Sequence, residues 1–277
     1  MTPPIIAVIG AGHMGSSIIT GLLRNGHPAN QLWATNPEPE KLDKLKKTFS
    51  IHTTIDNKKA AEAASVIIFA VKPIKLPEVA KELAPIIAAN NPLIISIAAG
   101  VRITDIAKWL GNEKTPIVRA MPNMPAMIGC GATALFANAQ VIQQQHDIAE
   151  SILRAIGSIV WLPKEALLDA ATALSGSGPA YFFLIMESLQ QAAENLGLDK
   201  EAARLLTLQT GLGAARMAIE SGLSLSELRK QVTSPGGTTE KALNVLEKKN
   251  IRQIFQETLE AAKLRAEELA NMLGKEK

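Results

Sequence analysis

A change in hydrophobic pattern near residue 163 constrains the fold of this 277-residue chain more than any other feature. Before it, short continuous apolar runs alternate with helix-length segments, and beyond it only helical patterns remain. Continuous apolar strands separated by helices are typical of a parallel sheet covered on both faces. We therefore predict an α/β doubly wound sheet of about eight strands in residues 1–163, followed by an all-α domain in residues 164–277.

The same pattern places the individual elements. The predicted strands are Ile5–Ile9, Leu32–Ala34, Ile51–Thr53, Val66–Val71, Leu93–Ile97, Ile117–Ala120, Ala132–Phe136 and Ser158–Trp161. The predicted helices of the first domain include His13–Asn25, Glu38–Thr48 and Lys75–Asn90. In the second domain the predicted helices are Ala166–Leu174, Pro179–Leu196, Lys200–Ser221, Leu225–Gln231, Thr238–Lys249 and Arg252–Leu273.

The segment Lys200–Ser221 predicts a helix that is apolar on all sides. Between Ala202 and Ile219 its only charged residues are Arg204 and Arg216. Such a helix must be buried all round. It is either the internal core helix of its own domain or a helix with one face covered by a second subunit. The Ala and Gly content permits close packing of helices and favours the second alternative.

Composition and targeting signals exclude several classes of protein. The net charge of +3 is spread along the chain, which gives no support for binding to nucleic acid or a membrane surface. The single cysteine, Cys130, excludes an internal disulfide framework and fits a reducing compartment. The N-terminal segment lacks the basic residues of a signal peptide, and no apolar stretch reaches the ~18 residues that cross a bilayer. We expect a cytoplasmic protein, without a metal site because the histidines lack metal-ligand spacing.

The motif Gly10-Ala11-Gly12-His13-Met14-Gly15 follows the first strand and opens the first helix. In that context G-x-G-x-x-G predicts a Rossmann dinucleotide site, with the diphosphate at the helix N-terminus. Gly10 allows the tight turn, Gly12 lets the diphosphate approach the backbone, and Gly15 lets the helix lie close to the strand. His13 is predicted to lie beside the diphosphate as a spacer.

The residues at the end of the second strand favour NADPH over NADH. NAD sites usually have a carboxylate there, which binds the ribose hydroxyls. Here Thr35 and Asn36 are neutral, and neither would repel a 2′-phosphate. Lys41 adds a positive charge one turn into the next helix, unless it is an ordinary surface lysine. We predict NADPH as the cofactor, with NADH as the alternative.

Three further motifs follow the fourth, fifth and sixth strands: Ala70-Val71-Lys72-Pro73, Ile97-Ala98-Ala99-Gly100 and Ala120-Met121-Pro122-Asn123. The carboxyl ends of the strands form the ligand crevice of a doubly wound sheet, so these loops are predicted to line the nicotinamide half of the site. Each is otherwise an ordinary turn between a strand and a helix.

Two glycine-rich segments lie in the helical half. Ser234-Pro235-Gly236-Gly237-Thr238-Thr239 precedes a helix, and its backbone N–H groups are predicted to bind a carboxylate. The alternative is a capping turn in which Thr238 or Thr239 is the N-cap. Ser175-Gly176-Ser177-Gly178-Pro179-Ala180 is either a helix cap or a close approach to substrate.

Taken in order, GAGHMG, AVKP, IAAG, MPN, SGSGPA and SPGGTT resemble Δ1-pyrroline-5-carboxylate reductases over nearly the whole chain. The resemblance implies NAD(P)H-dependent reduction of a cyclic imine to L-proline, the last step of proline biosynthesis. It also implies a helical domain that interlocks with that of another subunit, giving dimers and often decamers.

The motifs and the resemblance together predict the site residues. The cofactor-binding residues are Ile9, Gly10, Ala11, Gly12, His13, Met14, Gly15, Thr35, Asn36, Pro37, Asn57, Ala70, Val71, Lys72, Pro73, Ile97, Ala98, Ala99, Asn123 and Gln231. The substrate-binding residues are Glu165, Ser234, Gly236, Gly237, Thr238 and Thr239. Thr239 is also the predicted catalytic residue, with its hydroxyl near the ring nitrogen. Gln231 stands where some relatives have Asn.

Two other functions are alternatives to this one. A β-hydroxyacid dehydrogenase needs a base, usually a lysine four residues past a Gly-x-Gly, and counting from Gly178 gives Phe182 instead. A regulatory module that binds the nucleotide without turnover would have no use for the complete SPGGTT segment. The residues favour the reductase.

Overall fold

The computed structural model describes residues 3–274 of the chain. Its eight strands are β1 (Ile6–Ile9), β2 (Leu32–Thr35), β3 (His52–Thr54), β4 (Val66–Phe69), β5 (Leu93–Ser96), β6 (Ile117–Met121), β7 (Gly131–Ala137) and β8 (Gly157–Trp161). They form one sheet in the order β3-β2-β1-β4-β5-β6-β7-β8, and the first six are parallel. The order reverses direction between β1 and β4, which is the crevice position of a doubly wound sheet. The predicted fold class is confirmed.

Strand β7 departs from the predicted parallel arrangement. It pairs antiparallel with β6, so that Val118 lies opposite Ala137 and Met121 opposite Ala134. The connection between the two strands contains only the short 3-10 helix Met124–Ile128. A parallel return needs a crossover of roughly a dozen residues or more, and this connection is too short for one. Strand β8 then pairs parallel with β7.

Helices cover both faces of the sheet. They are α1 (His13–Arg24), α2 (Pro39–Phe49), α3 (Asn57–Ala63), α4 (Leu76–Asn90), α5 (Ile103–Leu110) and α6 (Gln143–Arg154). Successive residues of β1 point to opposite faces, as in any strand. Ile6 and Val8 belong to the buried cluster that includes residues of α1, α2 and α6, whereas Ala7 and Ile9 belong to the cluster with residues of α3, α4 and α5.

The rest of the chain is helical, as predicted. It contains α7 (Leu167–Ala171), α8 (Gly178–Asn195), α9 (Lys200–Glu220), α10 (Leu225–Gln231), α11 (Thr238–Lys248) and α12 (Ile251–Leu273). The continuous helix predicted over Ala166–Leu174 is wrong in detail, because α7 gives way to a π-helical turn at Thr172–Gly176. Asp199 caps α9 by accepting hydrogen bonds from the N–H groups of Glu201 and Ala202.

Helix α9 is not enclosed by its own part of the chain. Ala203 is its one buried residue, while Leu205, Leu206 and Leu212 are 65%, 55% and 61% exposed. The interpretation of α9 as an internal core helix is therefore wrong. Its apolar surface is the kind that a partner covers.

The chain divides into two compact units, one of Met1–Ser177 with Ala261–Lys277 and the other of Gly178–Glu260. These bounds differ from the predicted domains, because the residues just after 163 and the second half of α12 belong with the sheet. Arg119 of β6 pairs with Glu165, and Asn271 of α12 accepts a hydrogen bond from Arg102. Domains of 1–163 and 164–277 stay a prediction. Among the described residues, no helix has the length and hydrophobicity needed to span a membrane.

Candidate active site

The glycine turn after β1 has the geometry that its sequence predicts. Gly10 adopts φ +95°, and its N–H donates to the Thr35 carbonyl at 3.1 Å. A Cβ atom on Gly10 would lie 2.7 Å from Val71 Cγ1, and one on Gly15 would lie 2.7 Å from the Gly10 carbonyl oxygen. Both positions therefore need glycine for conformation or packing.

Gly12 differs from its two neighbours in the motif. Apart from its chain neighbours and the backbone of its own helix, no atom of residues 3–274 lies within 4 Å of the position that its Cβ would occupy, and its φ of −80° is open to any residue. Gly12 is the N-cap of α1, and the Ser16 N–H donates to its carbonyl at 2.9 Å. Within residues 3–274, the N–H groups of His13, Met14 and Gly15 have no hydrogen-bond acceptor. Open space beside free amides at a helix N-terminus fits a diphosphate.

At the end of β2, the two neutral residues are buried and hydrogen-bonded. Thr35 Oγ1 donates to Asn57 Oδ1 at 2.7 Å and accepts from the Gly10 N–H at 3.2 Å. Asn36 Nδ2 donates to the Ala11 carbonyl at 3.1 Å, and Asn36 Oδ1 accepts from the Glu38 N–H at 2.9 Å. These side chains therefore hold the glycine turn in place. Pro37, by contrast, is exposed.

Glu38 is a residue of this region that the sequence analysis missed. Its carboxylate pairs with Lys41 Nζ at 2.6 Å, and both side chains are exposed. The positive charge predicted for Lys41 is therefore neutralised locally. Glu38 lies two positions past Asn36, where a carboxylate is expected in an NAD site. The residues at the end of β2 therefore do not indicate an acidic residue.

The predicted loop motifs share one edge of the sheet. Ala70 continues β4 and donates its N–H to the Ile9 carbonyl at 2.8 Å, while the Ile97 N–H donates to the Phe69 carbonyl at 3.1 Å. Ala98 is buried and Ala99 is exposed. The structure thus brings together, beside the glycine turn, the residues predicted at the ends of β4 and β5: Ala70, Val71, Lys72, Pro73, Ile97, Ala98 and Ala99.

Asn123, after β6, has both ends of its side chain hydrogen-bonded. Nδ2 donates to the Ser175 carbonyl at 2.9 Å, and Oδ1 accepts from the Ala132 N–H at 2.9 Å. Asn123 is buried. It therefore anchors the loop after β6 to the π-helical turn, whatever it contacts in a bound cofactor.

The second glycine-rich segment opens α11. Gly236 has φ +73°, and its N–H donates to Glu240 Oε2 at 2.9 Å. Gly237 is the N-cap, so the alternative that Thr238 or Thr239 caps the helix is wrong. In the described part of the chain the N–H groups of Thr238, Thr239 and Glu240 have no acceptor, because intrahelical bonding starts with Lys241 N–H to the Gly237 carbonyl.

The side chains in this second unit are more open than those at the sheet. Thr239 is partly exposed, and its hydroxyl forms no hydrogen bond within residues 3–274. Ser234 is exposed and its carbonyl accepts from the Gly237 N–H at 3.0 Å. Gln231, the last residue of α10, is exposed and makes no side-chain hydrogen bond in the described region. These features leave all three side chains available to a ligand.

Glu165 lies with the sheet. Its Oε1 accepts hydrogen bonds from the Ile103 N–H at 2.9 Å and from Arg119 Nη1 at 3.1 Å. Arg119 Nη2 also lies 3.7 Å from Asp169 Oδ1. Burial raises the pKa of Asp169, and the positive charge of Arg119 opposes that rise. Sequence reasoning missed both Arg119 and Asp169.

The chain is similar to known proteins over nearly its full length. A family model described as "Pyrroline-5-carboxylate reductase dimerisation" matches residues 165–269, and one described as "NADP oxidoreductase coenzyme F420-dependent" matches residues 5–100. The pyrroline-5-carboxylate reductase of Pseudomonas aeruginosa is 45% identical, and the alignment covers 99% of this chain and 100% of that protein. The chain belongs to the pyrroline-5-carboxylate reductase family.

Solved structures of the family agree with this assignment. A pyrroline-5-carboxylate reductase from Coxiella burnetii superposes with a TM-score of 0.94 at 50% identity, covering 96% of this chain and 98% of that one. A pyrroline carboxylate reductase from Plasmodium falciparum with NADP bound gives a TM-score of 0.85 at 29% identity, covering 98% and 99% of the two chains. The predicted family is confirmed, and the match to a dimerisation region supports self-association.

Proposed function

We propose that this protein reduces Δ1-pyrroline-5-carboxylate to L-proline with NADPH. The observation that carries the proposal is a pair of glycine-rich helix starts, each with three backbone N–H groups that lack an acceptor in the described residues, at positions 13–15 and 238–240. Both ligands carry an anionic group, a diphosphate or a carboxylate, and helix N-termini stabilise anions. The similarity to family members over nearly the whole chain supports the same reaction.

The cofactor seat is assigned to the first domain, residues 1–163. The diphosphate would lie in the open space at Gly12, on the free N–H groups at the start of α1. Thr35, Asn36 and Asn57 would shape the ribose end, and the loops after β4, β5 and β6 the nicotinamide end. When bound, NADPH supplies a hydride from nicotinamide C4. NADP in the Plasmodium relative supports the choice of nucleotide.

The substrate seat is assigned to the second domain, residues 164–277. The N–H groups that open α11 would hold the carboxylate, and the Thr239 hydroxyl would hold the ring nitrogen. Gly236, which the sequence also predicts as a contact, first has to release its N–H from Glu240. A protonated C=N bond is already electrophilic, so alignment of the two ligands carries most of the rate.

The assembly and the compartment are part of the same proposal. The exposed apolar residues of α8 and α9, such as Phe182, Phe183 and Leu206, would be covered in a homodimer. By resemblance, dimers would assemble further into decamers. The reaction is placed in the cytoplasm, which agrees with a single, exposed cysteine.

The proposal is tested by following NADPH oxidation at 340 nm with pyrroline-5-carboxylate and measuring the L-proline formed. NADH and the six-membered cyclic imine are assayed in parallel. One proline per NADPH consumed is expected. Binding of NADPH without its consumption would instead favour a regulatory module, and turnover only of 3-hydroxyacids a dehydrogenase.

Asn36→Asp is expected to lower the ratio of kcat/KM for NADPH to that for NADH by at least ~10-fold, because a carboxylate there repels the 2′-phosphate. The substitution also loses the donor to the Ala11 carbonyl, so both values should fall. Steady-state kinetics with each nucleotide give the ratio, which cancels that shared loss. An unchanged ratio would place the 2′-phosphate elsewhere.

Glu38→Gln is expected to move the same ratio in the opposite direction, raising it by ~2–5-fold, as befits an exposed charge. It frees Lys41 from its ion pair and removes a negative charge near the expected 2′-phosphate. The double variant Glu38→Gln with Lys41→Ala is the control and should lose the part of the gain that comes from freeing Lys41. If Glu38→Gln acts equally with Lys41 absent, the ion pair has no part in nucleotide choice.

A further inference from the structure

One oxygen of Glu165 connects the start of α5 with strand β6, next to the loops that follow β5 and β6. Glu165 Oε1 accepts from the N–H of Ile103, the first residue of α5, which lies just past the loop after β5. It also accepts from Arg119 Nη1, and Arg119 belongs to β6 two residues before that strand ends. The Arg119 side chain is only 6% exposed, so this is a buried, charge-assisted contact.

The chain after Glu165 holds the β6 loop a second time. Asn123 donates to the Ser175 carbonyl in the π-helical turn. A Cβ on Gly176 would lie 2.8 Å from Met121 Cε, so the turn packs directly against the end of β6. π-Helical turns are rare and are frequently found at functional sites.

Asp169 does not replace Glu165 in this arrangement. Its Oδ1 lies 3.7 Å from Arg119 Nη2 and forms no hydrogen bond among the described residues. Burial raises the pKa of Asp169, and the charge of Arg119 opposes that rise, but the two side chains share no hydrogen bond. Glu165 is therefore the residue that fixes Arg119 and, through Ile103, the start of α5.

We propose that Glu165 is a positioning residue, whose Oε1 holds the loops after β5 and β6 in the arrangement that receives the nicotinamide ring. This inference rests on the proposed function. It uses Oε1 alone, so the predicted contact of Glu165 with substrate is a separate role. The two roles predict different effects of a substitution at Glu165. A positioning role weakens the binding of NADPH, whereas a substrate contact weakens the binding of pyrroline-5-carboxylate.

Two variants separate the effect of side-chain length from the effect of side-chain charge at position 165. Glu165→Asp keeps the charge but withdraws the carboxylate by one methylene, so it cannot bond Ile103 and Arg119 together. Glu165→Gln keeps the reach and an acceptor oxygen but loses the charge. We expect Glu165→Asp to raise the Kd for NADPH ~10-fold and to lower kcat ~10–100-fold, as misplacement of a reacting group does. Glu165→Gln should change both less than Glu165→Asp does, because it keeps both hydrogen bonds and loses only the charge beside Arg119.

Binding of 2′,5′-ADP, which lacks nicotinamide, is the internal control. Its Kd, measured by calorimetry, should be unchanged in both variants, because it occupies only the other half of the site. Asp147→Ala, at an exposed carboxylate of α6, controls for loss of a negative charge and should match wild type throughout.

Three results would overturn the inference. An equal rise in the Kd values for NADPH and 2′,5′-ADP would indicate a general structural role. A rise in KM for pyrroline-5-carboxylate alone would indicate substrate contact instead. A larger loss in Glu165→Gln than in Glu165→Asp would show that charge matters rather than position. Failure of the wild-type enzyme to consume NADPH would sink the proposed function, whereas the two Kd values would still test Glu165.

Discussion

Gly12→Val is expected to raise the Kd for NADPH by on the order of 10²-fold or more while leaving the fold intact. The backbone at Gly12 suits any residue, and in the described part of the chain only its own neighbours and helix backbone can lie within 4 Å of the Cβ position. The valine side chain is therefore expected to fill space that the diphosphate needs, and its Cβ has room at this position. The one intrinsic cost is a poorer N-cap, of ~1 kcal/mol, which lowers the melting temperature by ~2–4 °C.

Gly15→Ala is the matched comparison for this variant. Its Cβ would lie 2.7 Å from the Gly10 carbonyl oxygen and 3.1 Å from Val8 Cγ1. We expect it to lower the melting temperature more than Gly12→Val does. Calorimetric NADPH binding and thermal melts of both variants check the pair. Wild-type affinity in Gly12→Val would show that the nucleotide does not approach α1 as proposed.

Thr239→Val is expected to lower kcat by ~10–10³-fold, the loss that follows removal of one preorganised donor. The two side chains have nearly the same shape. The Thr239 hydroxyl has no partner among the described residues, so no internal hydrogen bond is lost and the Kd for NADPH should not change. The reason for the effect is that the imine nitrogen loses the group that fixes it.

Thr239→Ser is the control, because it restores the hydroxyl on a smaller side chain. We expect it to recover most of kcat. Steady-state kinetics on all three proteins, with saturating NADPH, give the comparison. Near-wild-type turnover in Thr239→Val would show that the Thr239 hydroxyl has no part in the mechanism. The backbone N–H groups at the start of α11 would then be the contribution of this helix to substrate binding.

The sequence predicts the strands well because a doubly covered sheet needs continuous apolar runs. The direction of β7 is not in that pattern, since it depends on the length of the connection after β6. The π-helical turn at Thr172–Gly176 is likewise invisible, because its apolar spacing resembles that of an α-helix. For α9, the pattern predicts burial, but its own unit does not supply it.

The candidate site likewise contains some features that the sequence predicts and others that it does not. The glycine positions follow from local rules, and the positive φ of Gly10 and the close contacts at Gly10 and Gly15 agree with these rules. The Glu165–Arg119 contact joins residues 46 positions apart, and Glu165 is 62 positions from Ile103. No local spacing encodes such contacts. Glu38 was missed because the rule for nucleotide choice considers only the end of β2.

The most direct test of the two seats is a crystal structure of the enzyme with NADP and proline bound. The account predicts the diphosphate on the N–H groups of residues 13–15 and the proline carboxylate on those of residues 238–240. It also predicts the Thr239 hydroxyl within hydrogen-bonding distance of the proline nitrogen. Well-defined density for either ligand away from its glycine-rich helix start would contradict the account.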